Sequence, residues 1–391
     1  MGTLSTSEGT PRTADGWRLR VEAGPRPRRD AAVVCPAPEG VADGAYRLLG
    51  AGGSWPAQVA CGEFLALLPA LEAGEARDFG LQAALATEPA VRAVRRSGAV
   101  EVTLGDEALT TLRLEGAPKP FLHPLLAPGG VAVVRGWPVA PLEGDSHDHP
   151  HHRGLWIGHG DCNGMDAWEE HAERLGRIEV GGLACCSGPV CATVRCDLRW
   201  LAPGGRPAAL EQRLHRFWAV DGQVRLLDVE STYSGPRGAW VRFGDTKEGA
   251  LCGVRVATGM EEGRGGRITT AEGALGEAEA WGSAAGWCDY SGEPDAAPGA
   301  TVGVAILDHP GNPLHPTRWH VRGYGLMTAN PFALSHYQPR SGRQGDWLLP
   351  AGRSATFRFR VLVHRGDAAE AQVARRYADW AFPPRCTWAR A

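Results

Sequence analysis

Glycine and proline break this chain so often, 53 and 29 times in 391 residues, that turns must be frequent and the elements between them short. Frequent turns favour β architecture. The runs between the turns agree with that. "WRLRVEAG", "DAAVVCPA", "AYRLLGAG", "AVRAVRRSGAVEVTLGD" and "LTTLRLEG" alternate or stay apolar briefly, and each is closed by turn residues. They predict a small N-terminal β unit over residues 15–115, behind a flexible polar tail at 1–14. "EFLALLPALEAGEARDFGLQ" fits helix and strand equally by period.

Strands continue over residues 116–366. "CATVRCDLRWLAPGGRPAALEQRLHRFWAVDGQVRLLDVESTYS" reads as a meander, with Asp221-Gly222 as a hairpin signal. "GVAILDH" and "ATFRFRVLVHRGD" add further strands. Strands linked by hairpins over this length predict an all-β fold built on a large antiparallel β-sandwich. The last segment, 367–391, reads as a C-terminal helix and tail. Asp367 can cap the helix, and Val373, Tyr377 and Trp380 share one face.

A net charge of −3 gives no reason to expect nucleic acid or an anionic membrane as partner. No run of about 18 uncharged apolar residues predicts a membrane span. The opening "MGTLSTSEGTPRTADGW" lacks the apolar core of a secretory signal. The ten cysteines show no C-x-x-C pair, and read as small hydrophobes in a reducing compartment. The expected localisation is cytoplasmic.

Basic residues total 41, yet only Lys119 and Lys247 are lysine, and only Asn163, Asn312 and Asn330 are asparagine. A chain that has exchanged most Lys for Arg keeps lysine where a compact point charge is needed. Against that background four segments stand out. "DSHDHPHHRGLWIGHGDCNGMDAWEE" holds five of the thirteen histidines, and His171 follows it. The others are "FGDTKEGALCGVRVA", "WCDYSG" and "LDHPGNPLHPTRWHVRGYGLMTANPFALSHY". If "SHDHPHH" is extended, His147, His149 and His151 share one face, with Asp148 and His152 on the other.

Those four motifs, in that order, resemble the bacterial PmoA-like family of unknown function over roughly residues 117–367. The label implies a methane monooxygenase subunit, which is an integral membrane protein, and a chain without a spanning segment does not fit it. The resemblance implies instead a β-rich protein, similar in architecture to the galactose-mutarotase-like supersandwich that hosts sugar epimerases, lyases and hydrolases. Fold does not fix function. Cys162 and Ala167 stand where that family's pattern has Val and Phe, both packing positions.

The expected function is acid–base chemistry on a sugar or keto-sugar by a carbohydrate-active enzyme of epimerase, lyase or hydrolase type. Imidazole titrates near neutrality and both donates and accepts. His152 and His159 are the expected acid and base. Lys247 stabilises a developing oxyanion and Glu248 serves as a base. Substrate contacts are expected from His149, His151, Arg153, Asp161, Asn163, Trp287, Asp289, His320, Arg322, Tyr324 and Asn330. Among the tryptophans, Trp287 and Trp319 are favoured for stacking on a sugar face. Each residue also has a plain structural reading: hydrogen-bonded loop histidines, an Arg153–Asp161 pair, Asx turns at the asparagines, core packing for the tryptophans. No cofactor is expected. The alternative is a divalent metal held by His147, His149 and His151, although their spacing matches no standard ligand signature. A second alternative is a non-catalytic carbohydrate-binding protein. The expected partner is a small-molecule carbohydrate, with neither nucleic acid nor membrane, and the oligomeric state is open.

Overall fold

The computed structural model describes residues 16–84, 88–170, 173–220 and 222–390. The tail at 1–14, His171 and Asp221 lie outside them.

The chain divides into two compact units. The first comprises residues 1–90, 188–191 and 378–391. Its core is a seven-stranded antiparallel sheet in the order Ala32–Pro36, Glu63–Leu67, Gly53–Ala60, Gly44–Gly50, Ala76–Ala83, Trp17–Glu22, Arg385–Arg390. Alternation sets its faces. Leu19 and Val21 enter the core with Tyr46, Leu48, Phe64 and Phe79, while Arg18 and Arg20 face out. The ambiguous segment resolves into two strands, Glu63–Leu67 and Ala76–Ala83, joined by a turn. The expected C-terminal tail is not a tail: Arg385–Arg390 pairs with Trp17–Glu22. Its Trp388 indole packs edge-on to Phe64 at 5.0 Å and donates to the Pro36 carbonyl at 3.0 Å. The helix expected before it is Val373–Ala381, and Asp367 caps the preceding turn by accepting from the amides of Ala369 and Glu370.

The second unit comprises residues 91–187 and 192–377. It holds two eight-stranded antiparallel sheets. One runs Trp319–Arg322, Leu326–Ala329, Gly249–Arg255, Leu155–His159, Phe121–Leu125, Glu107–Arg113, Ala99–Leu104, Val91–Arg96. The other runs Arg177–Cys186, Cys191–Leu201, Pro207–Trp218, Val224–Ser234, Ser354–Arg365, Val302–Asp308, Trp287–Gly292, Arg267–Thr270. One apolar cluster joins Leu155, Val254 and Trp319 of the first sheet with Trp200, Tyr233 and Phe359 of the second, which makes a β-sandwich. The expected meander is present as neighbouring strands from Cys191 to Ser234. The unit boundary falls at 90/91 rather than near 115. The strands from Val91 to Arg113 continue the sheet begun by Phe121–Leu125, and local alternation carries no information about which sheet a strand joins.

Glu211 ties the second sheet together from inside. It accepts from Arg213 at 2.6 and 2.9 Å, the Trp200 indole at 2.7 Å and the Ser231 hydroxyl at 2.7 Å, and both ions are buried. Removing one partner of a buried pair leaves the other charge uncompensated. Glu211→Ala is expected to destabilise the protein by about 3–5 kcal/mol, read from the shift of the urea unfolding midpoint.

Candidate functional site

The strands Leu155–His159, Gly249–Arg255, Trp319–Arg322 and Leu326–Ala329 are buried on both faces. Alternation sends Leu155, Ile157, Trp319 and Val321 into the sandwich core. It sends Trp156, Ala250 and Leu326 to the opposite face, where they pack with Phe121 and Trp168. His320 and Arg322 alternate with Trp319 and Val321, so they face that same side. The segments before and after Leu155–His159 complete the cluster.

Its centre is a stack of rings. His152 lies between His149, at 4.8 Å and 2°, and Trp156, at 5.2 Å and 17°. Tyr324 also lies parallel to His149, at 5.0 Å and 7°, and to His152, at 6.5 Å and 8°. The Arg255 guanidinium sits 4.7 Å over Tyr324. Trp168 meets His152 edge-on at 5.2 Å and lies parallel to His320 at 6.2 Å. His151 packs edge-on to His152 at 4.4 Å. The "SHDHPHH" segment is not extended. A turn closes from the His152 amide to the His149 carbonyl at 3.0 Å, and this brings His149 and His152 onto one another rather than onto opposite faces.

His152 is 1% exposed, and both its ring nitrogens lack a hydrogen-bond partner among the described residues. His151 Nε2 and Trp156 Nε1 share that condition. Burial holds the His152 imidazole neutral, well below its ordinary pKa. Burial, reinforced by the charge of Lys119, lowers His151 to about 3.

The Lys247–Glu248 pair stands at the edge of this cluster, Nζ to Oε1 at 2.5 Å, with the lysine 41% exposed. Its backbone is pinned from two sides. Asn330 donates to the carbonyls of Thr246 and Lys247 at 3.0 and 3.1 Å. His320 Nδ1 bonds the Lys247 carbonyl at 2.6 Å. A carbonyl only accepts, so the proton is on Nδ1 and Nε2 carries the lone pair. Gly249 is required here: a Cβ would lie 2.7 Å from His159 Nδ1 and 2.9 Å from Asn330 Nδ2.

Asp148 forms the other edge. It accepts from His149 Nδ1 at 2.8 Å, from Arg255 at 2.8 and 3.3 Å, and from Arg135. Burial opposes its ionisation. The His149 hydrogen bond and the charges of Arg255 and Arg135 outweigh that and hold the carboxyl well below the usual carboxylate range.

Several expected residues stand elsewhere. His159 points into the sandwich core, packs against Phe243 and Phe332, and gives Nε2 to the Gly244 carbonyl at 2.9 Å. It is a core histidine on the opposite face of the sheet from His152. Asn163 is a turn residue bridging the carbonyls of Ala208 and Trp240, and Asp161 pairs with Arg242. Arg153 pairs with Glu170 rather than Asp161. Trp287 and Asp289 belong to the other sheet, where Asp289 bonds His364 in a buried pair at 2.7 Å. Trp319 is core, its indole on the Ala285 carbonyl. His147 stacks on Trp137. Among the described residues, no group of three or more His, Cys, Asp or Glu is close enough to hold a metal ion. The trio His147, His149 and His151 is therefore not assembled as a ligand set.

The residues in the cluster that the sequence did not single out for the site are Trp281, Arg255 and Lys119; Trp156, Trp168 and Asp148 also belong to it, although the sequence favours Trp287 and Trp319 as the tryptophans for stacking. Trp281 meets His320 edge-on at 4.8 Å and carries the Arg322 guanidinium at 4.1 Å, itself paired with Glu277. Lys119 is buried and donates to the Trp168 carbonyl at 2.8 Å; burial lowers its pKa to about 8. The scarcity of lysine pointed to Lys119 as much as to Lys247.

The family model "Family of unknown function (DUF6807)" matches residues 99–378. The chain belongs to this family. The match covers all four quoted motifs, and its description assigns the family no activity and carries no PmoA label. No curated protein matches the chain. Similar solved structures include a glycosyl hydrolase family 38 protein from Enterococcus faecalis, 8% identical over 95% of this chain and 47% of that one, TM-score 0.42. An α-mannosidase from Enterococcus faecalis is 10% identical over 96% and 46%, TM-score 0.40. A galactose mutarotase related enzyme from Lactobacillus acidophilus is 9% identical over 70% and 97%, TM-score 0.30. The chain thus spans less than half the length of the first two, and likeness this distant carries no functional argument. Among the described residues, no helix of this DUF6807 member is long and apolar enough to cross a membrane.

The buried imidazoles make stability depend on pH. Burial lowers His151 and His320 to about 3 and His159 to about 4, from 6.5. The unfolded chain therefore takes up protons from pH 6.5 downward while the fold does not. Stability is full above 6.5 and is lost as pH falls toward those values, by at most about 1.4 kcal/mol per pH unit for each histidine. Urea unfolding between about pH 6.5 and 5, above the ordinary carboxylate range, is expected to show this slope. His320→Gln should make it shallower.

Proposed function

We propose that this chain is an enzyme that moves protons on a sugar or keto-sugar, by epimerisation, elimination or hydrolysis. The observation that carries the reading is the set of buried polar atoms without partners: His151 Nε2, both nitrogens of His152, and Trp156 Nε1. Each buried polar atom left unpaired costs about 1–3 kcal/mol, and proteins retain such costs at functional sites. These atoms sit among the faces and edges of Trp156, Trp168 and Tyr324. A sugar, with several hydroxyls around a small ring that has apolar faces, is the ligand class that suits this combination of unpaired polar atoms and aromatic faces.

The protein groups match that chemistry. His152 is neutral and can pass a proton in either direction. Lys247, held on Glu248, offers a compact cation to an oxygen gaining negative charge, and Glu248 is a carboxylate able to take or return a proton. Asn330 and His320 fix the backbone beneath that pair, so they position it without needing to touch substrate.

The test is a panel of aldoses, ketoses and keto-sugars incubated with the protein in D₂O and followed by proton NMR. Wild type is expected to give solvent deuterium on carbon, a new epimer, an elimination product or a cleaved glycoside from at least one of them. His152→Ala should reduce that rate by about 10²-fold or more while still binding the sugar. Binding without turnover in wild type would identify a carbohydrate-binding protein and end the enzymatic reading. Full turnover in a folded His152→Ala would remove His152 from the chemistry.

Lys247→Arg separates a site lysine from a solvated one. The side chain is half-exposed, so its stability effect should stay within about 0.5 kcal/mol. The wider guanidinium fork should displace Glu248 or the substrate oxygen, and turnover is expected to fall about 10²–10³-fold. Thermal melts and rates of the purified variant decide the matter.

A further inference from the structure

His149 is held at its backbone, at its ring by stacking, and at one ring nitrogen. Its carbonyl accepts from the His152 amide at 3.0 Å and from Arg135 at 3.0 Å. Its backbone is in the left-handed region, φ +44°, which a non-glycine residue adopts at a cost and keeps where the surroundings impose it. Tyr324 and His152 both stack against its ring, at 5.0 and 4.8 Å. Nδ1 is on Asp148 at 2.8 Å. Nε2 is left, on a side chain that is 39% exposed.

The proton positions follow from the partner. Two guanidiniums keep Asp148 an ionised carboxylate, and a carboxylate only accepts. Nδ1 of His149 must therefore donate, so Nε2 is the nitrogen on which a lone pair can stand. Arg135 and Arg255 are both fully buried and converge on this one carboxylate, so Asp148 is fixed as firmly as the ring it holds. A ring oriented through one nitrogen by a carboxylate, with the other nitrogen open, is the arrangement of a general base. His152, by contrast, is buried between two rings and is oriented by no side chain among the described residues.

Resting on the proposed function, the geometry points to His149 as the general base of this site and to Asp148 as its positioning residue. The substrate class narrows accordingly to a sugar bearing a carbonyl. Nε2 takes a proton from the carbon beside that carbonyl. The C–H electron pair forms the C=C bond of an enediolate while the C=O π pair moves to the carbonyl oxygen. As the enediolate collapses, the imidazolium returns the proton to carbon, or to the oxygen that leaves when the neighbouring C–O bond breaks. No oxidant or second substrate is consumed.

Protein labelled with ¹⁵N-histidine reads the proton positions without any substrate, with His149 assigned by its loss in His149→Gln. Wild type is expected to show Nδ1 protonated and Nε2 bare, and Asp148→Asn to shift that tautomer. On a substrate found by the sugar panel, His149→Gln and Asp148→Asn should each lower kcat about 10²–10⁴-fold and leave KM nearly unchanged. His149→Asn, whose side chain tolerates the left-handed backbone, serves if the glutamine variant does not fold. A bare Nδ1 in wild type overturns the inference. So does wild-type turnover in the folded His149 variants when Lys247→Arg and His152→Ala are inactive, and in that case the proposed function stands without this base. A wild-type protein that turns over no sugar overturns the proposed function itself, whatever the tautomer.

Discussion

The strand Gly249–Arg255 is buried along its whole length, and the candidate site depends on that double burial. One face supplies Leu251, Cys252 and Val254 to the sandwich core. The other supplies Ala250 to the ring cluster and Arg255 to Tyr324 and Asp148. A strand that must fill two packed faces leaves little room for side chains at its start, which is why Gly249 lies between His159 and Asn330. Rigid packing on the core side gives the opposite face fixed positions from which to hold rings and ions.

Electrostatics on that face follow from the same burial. Imidazoles taken out of water lose their protons, so His151, His152 and His320 sit neutral beside cations they would otherwise repel. Charges that remain are paired: Arg135 and Arg255 on Asp148, Arg153 on Glu170, Lys247 on Glu248, Arg322 on Glu277. The pairs differ in freedom. Asp148, itself partly exposed, is clamped by two buried guanidiniums, whereas Lys247 has Glu248 as its ion-pair partner, so the first charge is held from two sides and the second from one.

Much of the fold was legible because period-two alternation survives wherever one face meets solvent, as in Arg18, Leu19, Arg20 and Val21. It fails on strands packed on both faces. Trp319, His320, Val321 and Arg322 alternate in direction, yet only the fold shows which pair enters the core. The same limit explains the site. Lys247 and Asn330, both singled out by scarcity, meet in the fold, where the amide of Asn330 holds the Lys247 carbonyl. Scarcity points equally to Lys119, which the sequence does not assign to the site because no motif surrounds it. His152 and His159 share one motif and face opposite ways, since His152 ends a turn and His159 ends a strand.

The sequence by itself determined the β class, the meander, the C-terminal helix and the segments that the proposed chemistry draws on. Local spacing and turn residues encode these through backbone preference and solvent exposure. Only the tertiary structure decided that Arg385–Arg390 closes onto Trp17–Glu22, that Val91 to Arg113 joins the sandwich, and which of the histidines share a face. Those outcomes rest on contacts between residues far apart in the chain. Asp148 with Arg135 and Arg255 is the clearest case, because no local pattern records that these three residues will share one charge balance.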